Sequence, residues 1–259
     1  MSSPAAPQNN PKLIIIDSSV LLQLIATEQF GVLRLLRSDF GVQPAIVQAV
    51  ESEVTCILQN VPKFRGRQDQ MKKAIGNKTL AIVDRDLLAP ILGSSVDAWI
   101  RQMELEGVRL YSTVDRGEAF THAASMVLNV PTATNDTTAV SRLLRGGETI
   151  PRPIFRFWDF VVFAHQVDLV DAGACDKVRQ FLHKIGERLH PCFSNCSFHD
   201  GLPYFYARLA CANRPTVGAS QPQERFDDRL LLIATRSPTD ALGEPDQHTP
   251  RNKSDVRAE

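Results

Sequence analysis

Residues 12–22 read K-L-I-I-I-D-S-S-V-L-L, and the fold turns on this stretch. Leu13 to Ile16 form an unbroken apolar run that ends at Asp17. Such a run is how a strand reads when both faces of its sheet are covered. A charge at the carboxyl end of that strand falls at the rim of a parallel sheet, where open α/β folds place their ligands. A carboxylate is costly to bury without a partner. Asp17 is therefore expected to face a cation or a hydrogen-bond donor.

Outward from this stretch, strand-like and helix-like segments alternate. Residues 12–17 read as a strand. Residues 18–37 carry Val20, Leu21, Leu24, Ile25, Val32, Leu35 and Leu36 at helical spacing, with a break expected near Gly31. Pro44 suits the first turn of a helix. The helix read after it places Ile46, Val47, Val50, Val54, Ile57 and Leu58 on one face. L-A-I-V-D (80–84) reads as a short strand, and 95–106 and 117–129 as helices. P-T-A-T-N-D (131–136) is a short strand ending in a carboxylate, 153–165 is strand then helix, and 171–188 is a last amphipathic helix. The alternation predicts an α/β protein with a parallel sheet covered on both faces. Residues 1–10 are expected to be a flexible lead-in and 11–190 the folded domain. Residues 191–259 are expected to be a largely disordered extension, interrupted by the apolar run Leu230 to Ala234.

The composition is that of an ordinary globular protein, with 22% charged and 43% hydrophobic residues among 259. The formal net charge is zero, so a nucleic-acid partner needs a local basic patch. The five cysteines, at 56, 175, 192, 196 and 211, are odd in number and scattered. They suggest no disulfide framework and point to a cytoplasmic setting. No apolar stretch has transmembrane length and the N-terminus lacks a signal pattern, so no membrane partner is expected.

Four acids sit where such a fold could gather them. Asp17 and Asp136 end strands, Glu118 opens a helix in V-D-R-G-E-A, and Glu53 borders the apolar face of the helix after Pro44. Converging carboxylates raise one another's pKa unless a hard cation neutralises them. An all-oxygen set selects Mg2+ or Mn2+. The chemistry implied is metal-assisted phosphodiester hydrolysis. Each acid also has a plainer explanation. Asp17 and Asp136 can cap helices, Glu118 can answer a helix dipole, and Glu53 can be a solvated helix residue with Glu51 beside it.

In order along the chain, I-I-I-D-S-S-V-L-L, V-Q-A-V-E-S-E-V, D-R-G-E-A-F-T-H-A-A and P-T-A-T-N-D-T-T-A-V resemble the successive signature segments of PIN-domain ribonucleases. The resemblance spans about residues 12–188 and includes W-D-F…A-H-Q-V-D-L-V-D-A-G-A…V-R-Q-F-L. It implies a three-layer α/β/α sandwich with a central parallel sheet. It implies a Mg2+- or Mn2+-dependent endoribonuclease acting on single-stranded RNA. By position, Asp17, Glu53, Glu118 and Asp136 become the metal-site acids, and Thr134 the hydroxyl residue supporting the last of them. Many relatives carry a further acid about three residues after the last aspartate. Here Thr137, Thr138 and Ala139 stand there, which suggests one metal rather than two. The segment 60–112 is longer than in compact toxin-type members. Two alternatives remain open. One is a degenerate PIN-like scaffold binding RNA or a protein partner through the insert or the tail, with homodimerisation also compatible. The other is a phosphatase with Asp17 as nucleophile, disfavoured because Ser19 stands where a second aspartate is usual.

Arg142 and Arg145 flank the expected metal rim and are candidates for substrate phosphate. Lys63, Arg65, Arg67, Lys72, Lys73 and Lys78 form a basic stretch that suits an RNA backbone or, more ordinarily, a solvated helix face. His190, Cys192, Cys196 and His199 have ligand types zinc uses, but their spacing matches no strong zinc pattern. The aromatics from Phe155 to Phe163 read as core.

Overall fold

The computed structural model describes residues 12–64, 66–151 and 153–212, with residues 208–212 described by their backbone. Five strands, β1 (Leu13–Ile16), β2 (Gln43–Ile46), β3 (Ala81–Ile82), β4 (Thr132–Ala133) and β5 (Ile154–Phe155), form one sheet in the order β3-β2-β1-β4-β5. Every neighbouring pair is parallel. Eleven α-helices among the described residues cover it. They are α1 (Ser18–Ala26), α2 (Phe30–Phe40), α3 (Gln48–Asn60), α4 (Gln68–Gly76), α5 (Arg85–Leu92), α6 (Val96–Leu110), α7 (Arg116–Leu128), α8 (Thr137–Arg145), α9 (Phe157–Gln166), α10 (Ala172–Lys184) and α11 (Phe198–Ala212). The protein is a three-layer α/β/α sandwich. All four residues of β1 are buried, as a strand covered on both faces requires.

β1 lies at the centre. The chain runs outward one way through β2 and β3, then returns to the other side of β1 with β4 and β5. The direction of winding therefore reverses between β1 and β4. The crevice beyond the carboxyl ends of those two strands is where doubly wound sheets put ligands.

Two sequence expectations are corrected and a third is placed more closely. Pro44 does not open a helix; it is the second residue of β2, paired with Ile14. The Gln43 N–H donates to Lys12 across the β1 side, so a donor at position 44 would point toward β3. β3 begins only opposite Ala45, so no ladder bond is lost there. The break in the first helical segment, expected near Gly31, falls at Thr27–Gln29. Glu28 adopts φ 61°, and the chain bends by 109° between α1 and α2. Residues 191–207, assigned by sequence to a largely disordered extension, belong to the packed body. Phe193 and Phe198 are fully buried, and Phe205 and Tyr206 nearly so, in the cluster that also holds β1. Residues 1–11 and 213–259, with the run Leu230 to Ala234, lie outside the described residues.

Among the described residues no single helix is long and apolar enough to cross a membrane. The aromatics Phe157, Trp158, Phe160 and Phe163 are core, as expected.

Candidate functional site

Asp17 leaves β1 and caps α1, accepting from the Ser19 N–H. Its carboxylate is 1% exposed. Oδ2 accepts from Ser19 Oγ at 2.7 Å and from Thr134 Oγ1 at 3.1 Å. Oδ1 is buried without a hydrogen-bond partner. Burial pushes the Asp17 carboxyl above its ordinary range, against the Ser19, Ser18 and Thr134 hydrogen bonds that favour its charged form.

Thr134 ties the two strand ends together. Its hydroxyl donates to Asp17 and accepts from the Asp136 N–H at 3.1 Å. Asp136 also shows why the plainer explanation and the functional one need not compete. Oδ1 caps α8, accepting from the Thr138 and Ala139 N–H groups at 2.6 and 2.8 Å, while the carboxyl shares a hydrogen bond with Glu118. Burial works against the Asp136 charge. The Ala139 N–H, the Glu118 carboxyl, the Thr138 N–H and the nearby Arg142 charge together hold its pKa below the ordinary value.

Glu118 stands in the first turn of α7. Burial comes first in raising it, followed by the bond to Asp136 and the charges of Asp136, Asp17 and Asp115; it is pushed up to about 8. Glu53 reaches in from α3. Burial raises its carboxyl, a hydrogen bond to Ser18 opposes this, and Asp17 and Asp115 raise it further. A methyl built on Gly117 would overlap Glu53 Oε2. The glycine is thus the gap into which Glu53 fits, and Glu53 rather than Glu51 is the α3 acid of the site.

The fold therefore brings Asp17, Glu53, Glu118 and Asp136 into one electrostatically coupled group, with Asp115 at its edge. All are oxygen donors of the kind a hard divalent cation takes, and the orphaned Asp17 Oδ1 is a buried acceptor among them. Among the described residues, no three His, Cys, Asp or Glu side chains are arranged as they stand to hold a metal ion. That includes His190, Cys192, Cys196 and His199. In this last group the His190 ring accepts from the Cys192 N–H and the Cys196 thiol contacts the Cys192 carbonyl.

Of the expected phosphate contacts, Arg142 is exposed and near enough to Asp136 to lower its pKa. Arg145 is also exposed and donates to Ser141 on its own helix. The basic stretch is partly spent on structure. Lys63 pairs with Glu187, and Arg67 holds Glu28 and the Ile25 carbonyl. Arg65 lies outside the described residues.

Sequence reasoning missed Asn135 and His122. The Asn135 N–H donates to Ser19 Oγ at 3.0 Å, its Nδ2 to Gln23 Oε1 at 2.9 Å, and its Oδ1 accepts from the Phe157 N–H at 3.1 Å. One side chain thus fixes β4, α1 and the start of α9 relative to one another. Nothing in T-A-T-N-D distinguishes this from a turn asparagine. His122, one helical turn after Glu118, is fully buried with neither ring nitrogen bonded. Burial, then the Arg156 charge, push it down to about 4, with Asp136 opposing. Its apolar surroundings keep it neutral. Comparisons with protein-family models, with curated proteins and with solved structures found no match to this chain.

Proposed function

We propose that this chain is a PIN-type, Mg2+- or Mn2+-dependent endoribonuclease that hydrolyses single-stranded RNA. The observation that carries the reading is Asp17. It is a buried strand-end carboxylate with one oxygen unpartnered, coupled to Glu53 and Glu118 at the point where the sheet reverses its winding.

Asp17, Glu53, Glu118 and Asp136 are the residues that would hold the ion. When bound there, a divalent ion lowers the pKa of a water and offsets charge on the phosphoryl oxygens. The chain's own residues prepare the site for this. Ser19 and Thr134 fix Asp17 Oδ2 and leave Oδ1 free to ligate. The cap on α8 fixes one Asp136 oxygen and leaves the other off the helix amides. Gly117 admits Glu53, and Glu118 shares a hydrogen bond with Asp136. Arg142, exposed at the rim, suits an RNA phosphate better than Arg145 does, because it is the one coupled to Asp136. A cytoplasmic setting goes with the unbridged cysteines 56, 175 and 196.

Asp17→Ala is the test. Mn2+-dependent cleavage of a single-stranded RNA oligonucleotide should disappear while the circular dichroism of the folded chain stays as in wild type. Retained cleavage would end this reading.

A second reading, a degenerate PIN-like scaffold that binds RNA or a protein, draws on the insert. Leu105, Val108 and Tyr111, at and just past the end of α6, are 67%, 66% and 57% exposed. Calorimetric titration with Mn2+ separates the two readings, since the scaffold binds no ion tightly.

A further inference from the structure

Resting on the reading above, we propose that Arg116 is a substrate-binding residue whose guanidinium, held on the Phe120 ring, takes a phosphate of the RNA strand next to the one being cleaved. Arg116 is the first residue of α7 and lies exposed. Its turn of the helix stands at the acidic rim, because Glu118 in the same turn shares a hydrogen bond with Asp136. Successive residues of an α-helix are rotated by about 100°. Arg116 and Glu118, two positions apart, therefore leave α7 on nearly opposite sides. The guanidinium stands beside the acids and not among them, which suits a neighbouring phosphate rather than the scissile one.

The side chain is held in place. Its guanidinium carbon lies 6.0 Å from the centroid of the Phe120 ring, one helical turn on. At that distance a ring face attracts a cation. A ring beneath a guanidinium takes none of its N–H donors, so all of them stay available to an anion. Phe120 is fixed in turn. It packs against the cluster that holds β1 and against a smaller one that includes Leu110, Ala123 and Leu143. It also fills a gap on α6, where a methyl built on Gly107 would come within 2.7 Å of its Cδ1.

Neighbouring arginines are already engaged. Arg109 on α6 pairs with Glu106 and Glu148, and Arg156 donates to the Thr134 carbonyl. Arg116 makes no side-chain hydrogen bond or ion pair among the described residues. A planar cation fixed beside a phosphodiester site, with its donors unspent, is matched by a phosphate. Arg142 approaches the acids from α8, on the Asp136 side. Arg116 approaches from α7, which gives the strand a second and separate contact.

The test is the salt dependence of Mn2+-dependent cleavage of a single-stranded RNA oligonucleotide by the full chain. Each phosphate held by a cation adds about −0.7 to the slope of log affinity against log salt for a single strand. Arg116→Gln should raise KM about 5-fold at low salt, with kcat near wild type. It should also make the slope of log(kcat/KM) shallower by about 0.7. A merely structural arginine would move the melting temperature and leave that slope alone. Arg116→Lys keeps the charge without the fork of donors, and should keep the wild-type slope with a raised KM. A wild-type slope in Arg116→Gln overturns the anchor and leaves the ribonuclease reading standing. So does a slope in Arg116→Lys as shallow as that of the glutamine variant. A wild-type chain that cleaves no RNA overturns the ribonuclease reading itself, and the anchor with it.

Discussion

Gly117→Ala should separate stability from function. Gly117 lies in the first turn of α7, and its φ is not in the left-handed region, so the backbone accepts alanine. The added methyl would meet Glu53 Oε2 head on, whereas its contact with Val50 Cγ2, at 3.8 Å, is ordinary. The glutamate is the group that must move. It is the tip of a flexible side chain, and its charge is disfavoured where it lies. Alanine in place of glycine favours a helix by up to about 1 kcal/mol. Loss of the Ser18 hydrogen bond to Glu53 costs about 1 kcal/mol. The net change in stability should stay within about 1 kcal/mol, or roughly 2–4 °C in melting temperature for a domain of this size. Displacing a carboxylate from the site should weaken Mn2+ binding by about 10- to 100-fold, the range seen when residues supporting a metal site are removed. Differential scanning calorimetry of the metal-free chain and Mn2+ titration of the same sample measure the two effects. Wild-type Mn2+ affinity in Gly117→Ala would refute the claim that this gap positions Glu53. A destabilisation beyond about 2 kcal/mol, twice the cost of the lost hydrogen bond, would refute the claim that only the carboxylate tip must shift.

Glu118 should make the metal-free chain less stable as pH rises. Its carboxyl is raised from 4.5 to about 8 in the folded chain, so the folded state binds that proton more tightly than the unfolded state does. The contribution is fully present below pH 4.5 and is lost as pH climbs through about 8. Thermal melts across that interval should show falling stability, and Glu118→Gln should flatten the slope; an equal slope in the variant would contradict the assignment. Phe193→Ala should cost about 3–5 kcal/mol in a denaturant titration. Its fully buried ring lies 4.6 Å from Trp158, 5.2 Å from Phe198 and 5.4 Å from Phe205, centroid to centroid. A loss below about 1 kcal/mol, far under the usual cost of emptying such a site, would mean that residues 191–207 are not part of the cooperative core.

Much of the architecture is legible in the chain because burial leaves a periodic mark on it. The run Leu13 to Ile16 reads as a strand covered on both faces, and the acids after β1 and β4 then lie at the sheet's carboxyl edge. Pro44 misleads because its local preference fits a helix start as well as it fits a strand position with no neighbour to bond. The helix α11 is hidden because its context, between Pro191 and a polar Pro-rich tail, looks irregular until Phe193 and Phe198 are seen against Trp158.

By itself the sequence determined the covered parallel sheet, its first buried strand and the two aspartates at strand ends, because strand burial and strand-end position are properties of neighbouring residues. Only the tertiary structure decided which further acids join them. The way α3 and α7 pack sets whether Glu53 or Glu51 faces Asp17. A missing methyl at Gly117 gives Glu53 its place, and the Asp115 carboxylate is left off its own helix amides. Those outcomes depend on distances between segments far apart in the chain, and no local pattern encodes them.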